Sequence, residues 1–215
     1  MPLPKLTQGE RLSFANAVGA GFSTASLSFA ESLDASLPLA KDAEATVAGT
    51  PLGMLSFAHD VLVDEKARPK VRKKMGDAYR PAFDRLTLKP KPNEEPQVRD
   101  LRGLAVGALA EEAEDPKAIA ALVKLGRAVL GLDGDKKVHL TAAPADLVGT
   151  AVAVAIVQGG DAAFDHAAAL LTTETDSTTR RYLLYGLGSV RDAPRSAKVL
   201  ALTLDPRLKT NEVEK

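Results

Sequence analysis

The sequence predicts an all-α fold, a HEAT/ARM-like α-solenoid of antiparallel helix hairpins, and three observations carry that prediction. The 215 residues are 45% hydrophobic but only 4% aromatic, with no tryptophan, so the core is written in Ala, Leu and Val. Such a core suits closely packed helices better than sheets, which lean on aromatic and β-branched side chains. The apolar positions recur with helical period, and short turn signals interrupt them at close intervals.

Leu101, Leu104, Ala105, Ala108 and Leu109 form one apolar stripe at i, i+3, i+4, i+7 and i+8. Ile119, Leu122, Val123 and Val129 continue the pattern, and Leu183, Leu184 and Leu187 repeat it. Asp115-Pro116 and Asp192-Ala-Pro194 read as helix starts, because an N-cap acid followed by proline satisfies an exposed amide and presets φ. Gly159 ends an apolar run and reads as a helix stop, and Gly131 to Gly134 reads as a turn. The stretches Leu109–Leu122 and Leu187–Leu200 echo one another: helix end, acidic turn, proline start, new apolar helix. Their spacing approaches two hairpins of the ~40-residue repeat size. The single helical-repeat domain expected over 1–215 has one candidate hinge, residues 88–97, where Pro90, Pro92 and Pro96 exclude helix interior.

Charge and residue types narrow the function classes. Twenty-eight basic and twenty-eight acidic residues give zero net charge, so no global field draws the chain to nucleic acid or membrane. The longest strongly apolar run, Leu147 to Val157, falls short of the ~20 residues of a membrane helix. No targeting segment is read, which leaves the compartment open. Cysteine is absent, which removes thiolate nucleophiles and cysteine-bound zinc.

The three histidines, His59, His139 and His166, lie far apart and none begins an H-E-x-x-H motif. Asp133-Gly134-Asp135 lacks the further acidic ligands of a calcium loop and reads as a turn. No catalytic residue, metal ligand or cofactor site is therefore assigned within the chain. The densest basic run, Lys66 to Lys74, carries six cations in nine residues without an interleaved aromatic, and reads as a solvated helix face. Arg180, Arg181, Tyr182 and Tyr185 cluster on one predicted helix, with Arg181 and Tyr185 one turn apart. With Arg191 in the next turn, Arg181 and Tyr185 are the candidate contacts for a peptide carboxylate, which a guanidinium fork can hold bidentately.

The order of segments resembles the helical C-terminal domain of the gluzincin zinc aminopeptidases, the alanyl, leucyl and endoplasmic-reticulum aminopeptidase family. The similarity rests on Leu6-Thr7-x-x-Glu10-Arg11-Leu12, Asp100-Leu101-Arg102, Ala163-Phe164-Asp165 before Leu170-Leu171, Arg181 to Gly188, and Leu200-x-Leu202-x-Leu204-Asp205. It spans about Leu6 to Val213, and its force lies in the order of loose motifs. The resemblance implies a domain without catalytic residues that closes over a zinc site, limits entry and touches the distal part of the peptide. The zinc, its ligands and the Gly-Ala-Met-Glu-Asn motif would belong to an upstream catalytic domain, the implied partner alongside the peptide. The chain stops before the family's further hairpins, so it reads as a fragment. The alternative is a free-standing helical-repeat scaffold that binds protein or nucleic acid through residues 66–74. An unrecognised enzyme ranks last, since no nucleophile–base pair is visible.

Overall fold

A computed structural model of the chain describes residues 6–208 and residue 212, and among these every regular element is helical. The chain divides into two compact units, residues 1–115 and 116–215. The boundary coincides with the predicted helix start at Asp115-Pro116, while the three-proline segment lies inside the first unit.

The first unit begins with two helices that carry capping boxes. In α1 (Gln8–Ser23) the Thr7 hydroxyl accepts from the Glu10 amide, and the Glu10 carboxylate accepts from the Thr7 N–H at 2.7 Å. Ser28 and Glu31 repeat the device at α2 (Phe29–Ser36). Each box satisfies amides that a helix start otherwise leaves open. After a 3-10 turn at Leu37–Lys41 come α3 (Ala45–Ala48) and α4 (Thr50–Phe57), which widens into a π-helical turn, Ala58–Leu62. The long helix α5 (Arg68–Leu86) packs against α6 (Pro96–Gly107) and against the second π-helical turn, Ala108–Glu112. Tyr79 of α5 is fully buried, and its hydroxyl donates to the Ala48 carbonyl at 2.6 Å. That bond lets the ring lie in the core without an orphaned polar group.

Four of the five residues in the predicted stripe of α6 and its π-helical turn are buried, with Leu101, Ala105, Ala108 and Leu109 at most 2% exposed, while Leu104 is half-buried. Residues 89–93 of the proline loop are exposed, but the loop is tied at both ends by Arg102 of α6. The Arg102 Nε donates to the Thr87 carbonyl at 3.0 Å, and its Nη2 grips Glu94. Arg102 itself is 1% exposed, so the clamp is a buried ion pair.

The second unit contains α7 (Pro116–Val129), α8 (Val148–Gln158), α9 (Gly160–Thr173), α10 (Ser177–Gly188) and α11 (Ala193–Leu202). Helix α8 is its centre and packs against α7, α9 and α10. Val148 and Ala151 to Ile156 are all buried, so α8 is apolar almost all round because neighbours cover it on several sides. Gly126 of α7 brings that helix against the α8 backbone: a Cβ there would lie 1.9 Å from the Ala151 carbonyl oxygen. The predicted stop at Gly159 and the start at Asp192 are both present, the latter with the Asp192 carboxylate accepting from the Arg195 amide at 3.1 Å.

Candidate functional site

Helix α10 sets the candidate site. Asp176 caps it, accepting from the Thr179 amide at 2.8 Å and from the Thr179 hydroxyl at 2.9 Å. This fixes the first turn, and with it two adjacent arginines that point different ways. Arg180 turns inward and is 5% exposed. It donates to the carbonyls of Leu171 (2.9 Å), Glu174 (3.0 Å) and Arg207 (3.2 Å), and to both carboxylate oxygens of Glu212 (2.6 and 2.8 Å). The Glu212 hydrogen bonds hold this guanidinium above its ordinary pKa. Arg180 is therefore a structural hub that joins the α9–α10 loop to the C-terminal segment.

Arg181, about 100° further round the helix, faces solvent. Its guanidinium stacks over the Tyr182 ring at 5.3 Å, and it makes no hydrogen bond or ion pair among the described residues. Tyr185, one turn on, is 48% exposed. Arg181 and Tyr185 line the same groove, a hollow of about 800 Å³ within the second unit. Leu187, Val199, Leu202 and Leu208 contribute apolar wall, and Gly149 of α8 meets the Tyr182 ring at one edge. Arg191 is exposed in the turn after α10 and does not line the groove. The arrangement combines a cation pre-oriented on an aromatic face, a phenol and an apolar trough, with the Glu212 carboxylate also in the lining but held by Arg180. It suits an extended segment with an anionic terminus at the Arg181 end.

The other residues singled out by sequence take structural roles. Within Lys66–Lys74, Arg68 donates to the His59 carbonyl, Arg72 donates to His59 Nε2 at 3.2 Å and pairs with Glu114 at 2.7 Å, and Lys73 pairs with Asp77. Half of the run is thus spent on the protein itself. His59 is 5% exposed between Arg72 and Asp60. His139 lies 2.8 Å from Asp135, which also accepts from the Lys137 amide, while Asp133 pairs with Arg127. His166 donates from Nε2 to the Leu130 carbonyl at 2.8 Å. Among the described residues no group of three His, Asp or Glu side chains converges to hold a metal ion.

Sequence reasoning missed the groove's apolar wall, because α11 and the segment after it meet α10 only in three dimensions. The period of Val199 and Leu202 was the available signal. It also missed a second hollow, about 340 Å³, lined by Arg127, Leu132, Lys136, Gly159, Ala162, Ala163 and His166.

The residues that carried the family resemblance turn out to build the fold. Glu10 closes a capping box, Arg102 clamps the proline loop, Phe164 is 1% exposed in the core, and Asp165 pairs with Lys198 of α11 at 2.9 Å. No described helix is long and apolar enough to cross a membrane. No curated protein matches the chain. The sequence pattern of the ERAP1-like C-terminal domain does match, over residues 3–215, and the chain belongs to that family of aminopeptidase C-terminal domains.

Proposed function

We propose that this chain is the substrate-enclosing C-terminal domain of a zinc aminopeptidase, an α-solenoid of helix hairpins that is not catalytic alone. Its partners in this reading are the upstream catalytic domain, which supplies the zinc and its ligands, and the distal part of the peptide. The observation that carries the reading is the α10 groove, where Arg181 stands unpaired among the described residues beside Tyr185 and an apolar trough. A peptide sealed inside an enclosing domain brings its C-terminal carboxylate out of bulk water, and an unpaired carboxylate there is costly. A guanidinium stays charged and offers a planar fork to that group. Arg191 does not line the groove, so in this reading any contact it makes with a peptide lies outside it. The basic 66–74 face supports a nucleic-acid scaffold less well, because Arg68, Arg72 and Lys73 already bond within the protein.

Steady-state kinetics of the intact aminopeptidase test the reading. Arg181→Ala removes one charge-assisted contact at a solvent-exposed position, on the order of 1 kcal/mol. KM for longer peptides rises roughly fivefold, while single-residue chromogenic substrates are cleaved as before. An equal effect on short and long substrates refutes the peptide contact.

A further inference from the structure

Two arginines leave adjacent positions of α10, and polar partners fix only the first. Arg180 is held by hydrogen bonds to three carbonyls and a carboxylate. Arg181 has no such bond among the described residues, and what restrains it there is the Tyr182 ring, 5.3 Å from its guanidinium carbon. A free arginine at the surface samples many rotamers, and a ligand that orders it pays for the lost freedom. A stacked guanidinium has given up part of that freedom already, so whatever fixes the ring also fixes the cation.

The ring rests on Gly149, in the first turn of α8. A Cβ on that residue would lie 3.4 Å from Tyr182 Cδ1, 3.5 Å from its Cε1 and 3.9 Å from Tyr185 Cδ1. These are ordinary van der Waals separations, so a methyl group is the most that the seat admits on the side of the rings. Helical backbone does not ask for glycine, which it accepts less well than alanine. What the bare Cα supplies at 149 is the seat beneath the two tyrosines.

Helix α10 cannot relieve a crowded seat by moving away. Leu183 and Leu187 of the same helix are each 1% exposed in the core that they share with Val152 and Ile156 of α8. The crossing is also close at Gly186, where a Cβ would lie 2.7 Å from Ile156 Cδ1. A branched side chain at 149 therefore displaces the Tyr182 ring, which lies only partly buried at the edge of that core.

We propose that Gly149 and Tyr182 are positioning residues for the peptide contact, a role that rests on the peptide reading of the α10 groove. Gly149 seats the ring, and the ring holds Arg181 over the groove. Both act through Arg181.

Two measurements test this. In the full chain, carbon–proton NMR reads the Arg181 methylene protons, which a stacked ring shifts upfield. That shift is expected to persist in Gly149→Ala and to vanish in Gly149→Val and Tyr182→Leu, with melting curves confirming folded variants. Tyr182→Leu leaves α8 untouched and carries the test if Gly149→Val does not fold. In the intact aminopeptidase, Gly149→Val and Tyr182→Leu are expected to raise KM for longer peptides roughly three- to fivefold without changing kcat. Tyr182→Phe recovers the parental KM, and Gly149→Val adds nothing in an Arg181→Ala background. An upfield shift that survives both Gly149→Val and Tyr182→Leu overturns the proposal. So does a parental KM in those two variants when Arg181→Ala raises it, a result that leaves the peptide contact standing. If Arg181→Ala itself leaves KM unchanged, the peptide reading fails and the positioning role fails with it.

Discussion

Replacing Gly126 by alanine is the sharpest perturbation the structure offers. In isolation the change favours a helix, by about 1 kcal/mol. Here the added Cβ would lie 1.9 Å from the Ala151 carbonyl oxygen and 2.6 Å from the Ala155 Cβ. Neither is the movable tip of a long side chain, so α7 must retreat from α8 by roughly 1.5 Å before the contact becomes ordinary. That retreat opens the packing around Leu122, Val129, Val152 and Ile156, each at most 1% exposed. Overpacking of this kind costs about 1–3 kcal/mol or more, and separating two buried helices puts it at the upper end. Subtracting the helix-propensity gain leaves a net loss of about 2–3 kcal/mol, which for a chain of this size lowers Tm by roughly 4–12 °C. Gly53→Ala is the control, since α4 leaves nothing within 4 Å of the new Cβ. That variant gains stability by about 0.5–1 kcal/mol. Scanning calorimetry of both variants decides the matter, and a Gly126→Ala protein as stable as the parent refutes the close crossing of α7 and α8.

Acid should unwind the helix starts of the first unit before its core. Glu10 and Glu31 titrate below their ordinary value of 4.5 because Thr7 and Ser28 donate to them, and Arg207 lowers Asp205 to about 2. Depressed carboxylates stabilise above their unfolded pKa and lose that effect as pH falls through the folded one, so Tm declines from about pH 4.5 downward. The double variant Glu10→Gln, Glu31→Gln, which keeps the capping geometry, flattens that decline in a pH series of melting curves. Cleavage of the native protein by a low dose of protease should begin within residues 89–93, the exposed centre of the proline loop. Arg102→Met frees both ends of the loop and speeds that cut severalfold, as timed gels with mass mapping will show, whereas an unchanged rate removes the clamp.

Much of the fold was legible because helix ends are local chemistry. Proline at 116 and 194 and glycine at 159 act within a few residues, so the starts of α7 and α11 and the stop of α8 fall where the sequence places them. The stripe from Leu101 to Leu109 is buried as its period requires, except for Leu104, which is half-buried. The π-helical turns at Ala58–Leu62 and Ala108–Glu112 left no such mark, since an extra residue in a turn is tolerated by tertiary packing and not announced by residue type. The candidate site was legible only in part. Arg180 and Arg181 are identical side chains at neighbouring positions, and what marks the first as a buried hub is its set of distant partners, among them Glu212, thirty-two residues away. Pro81 shows the opposite case: it sits inside α5 without ending it, at an exposed position of a long packed helix.

The central claim is that the α10 groove receives the far end of a peptide held by the aminopeptidase. A peptide carrying a photoreactive residue at its C-terminus, irradiated in the intact enzyme and mapped by mass spectrometry, tests this most directly. The account predicts adducts on the groove's own segments, residues 181–189 and 199–208, that fall when unlabelled peptide competes. Adducts confined to other segments, with these two left unlabelled, would contradict it.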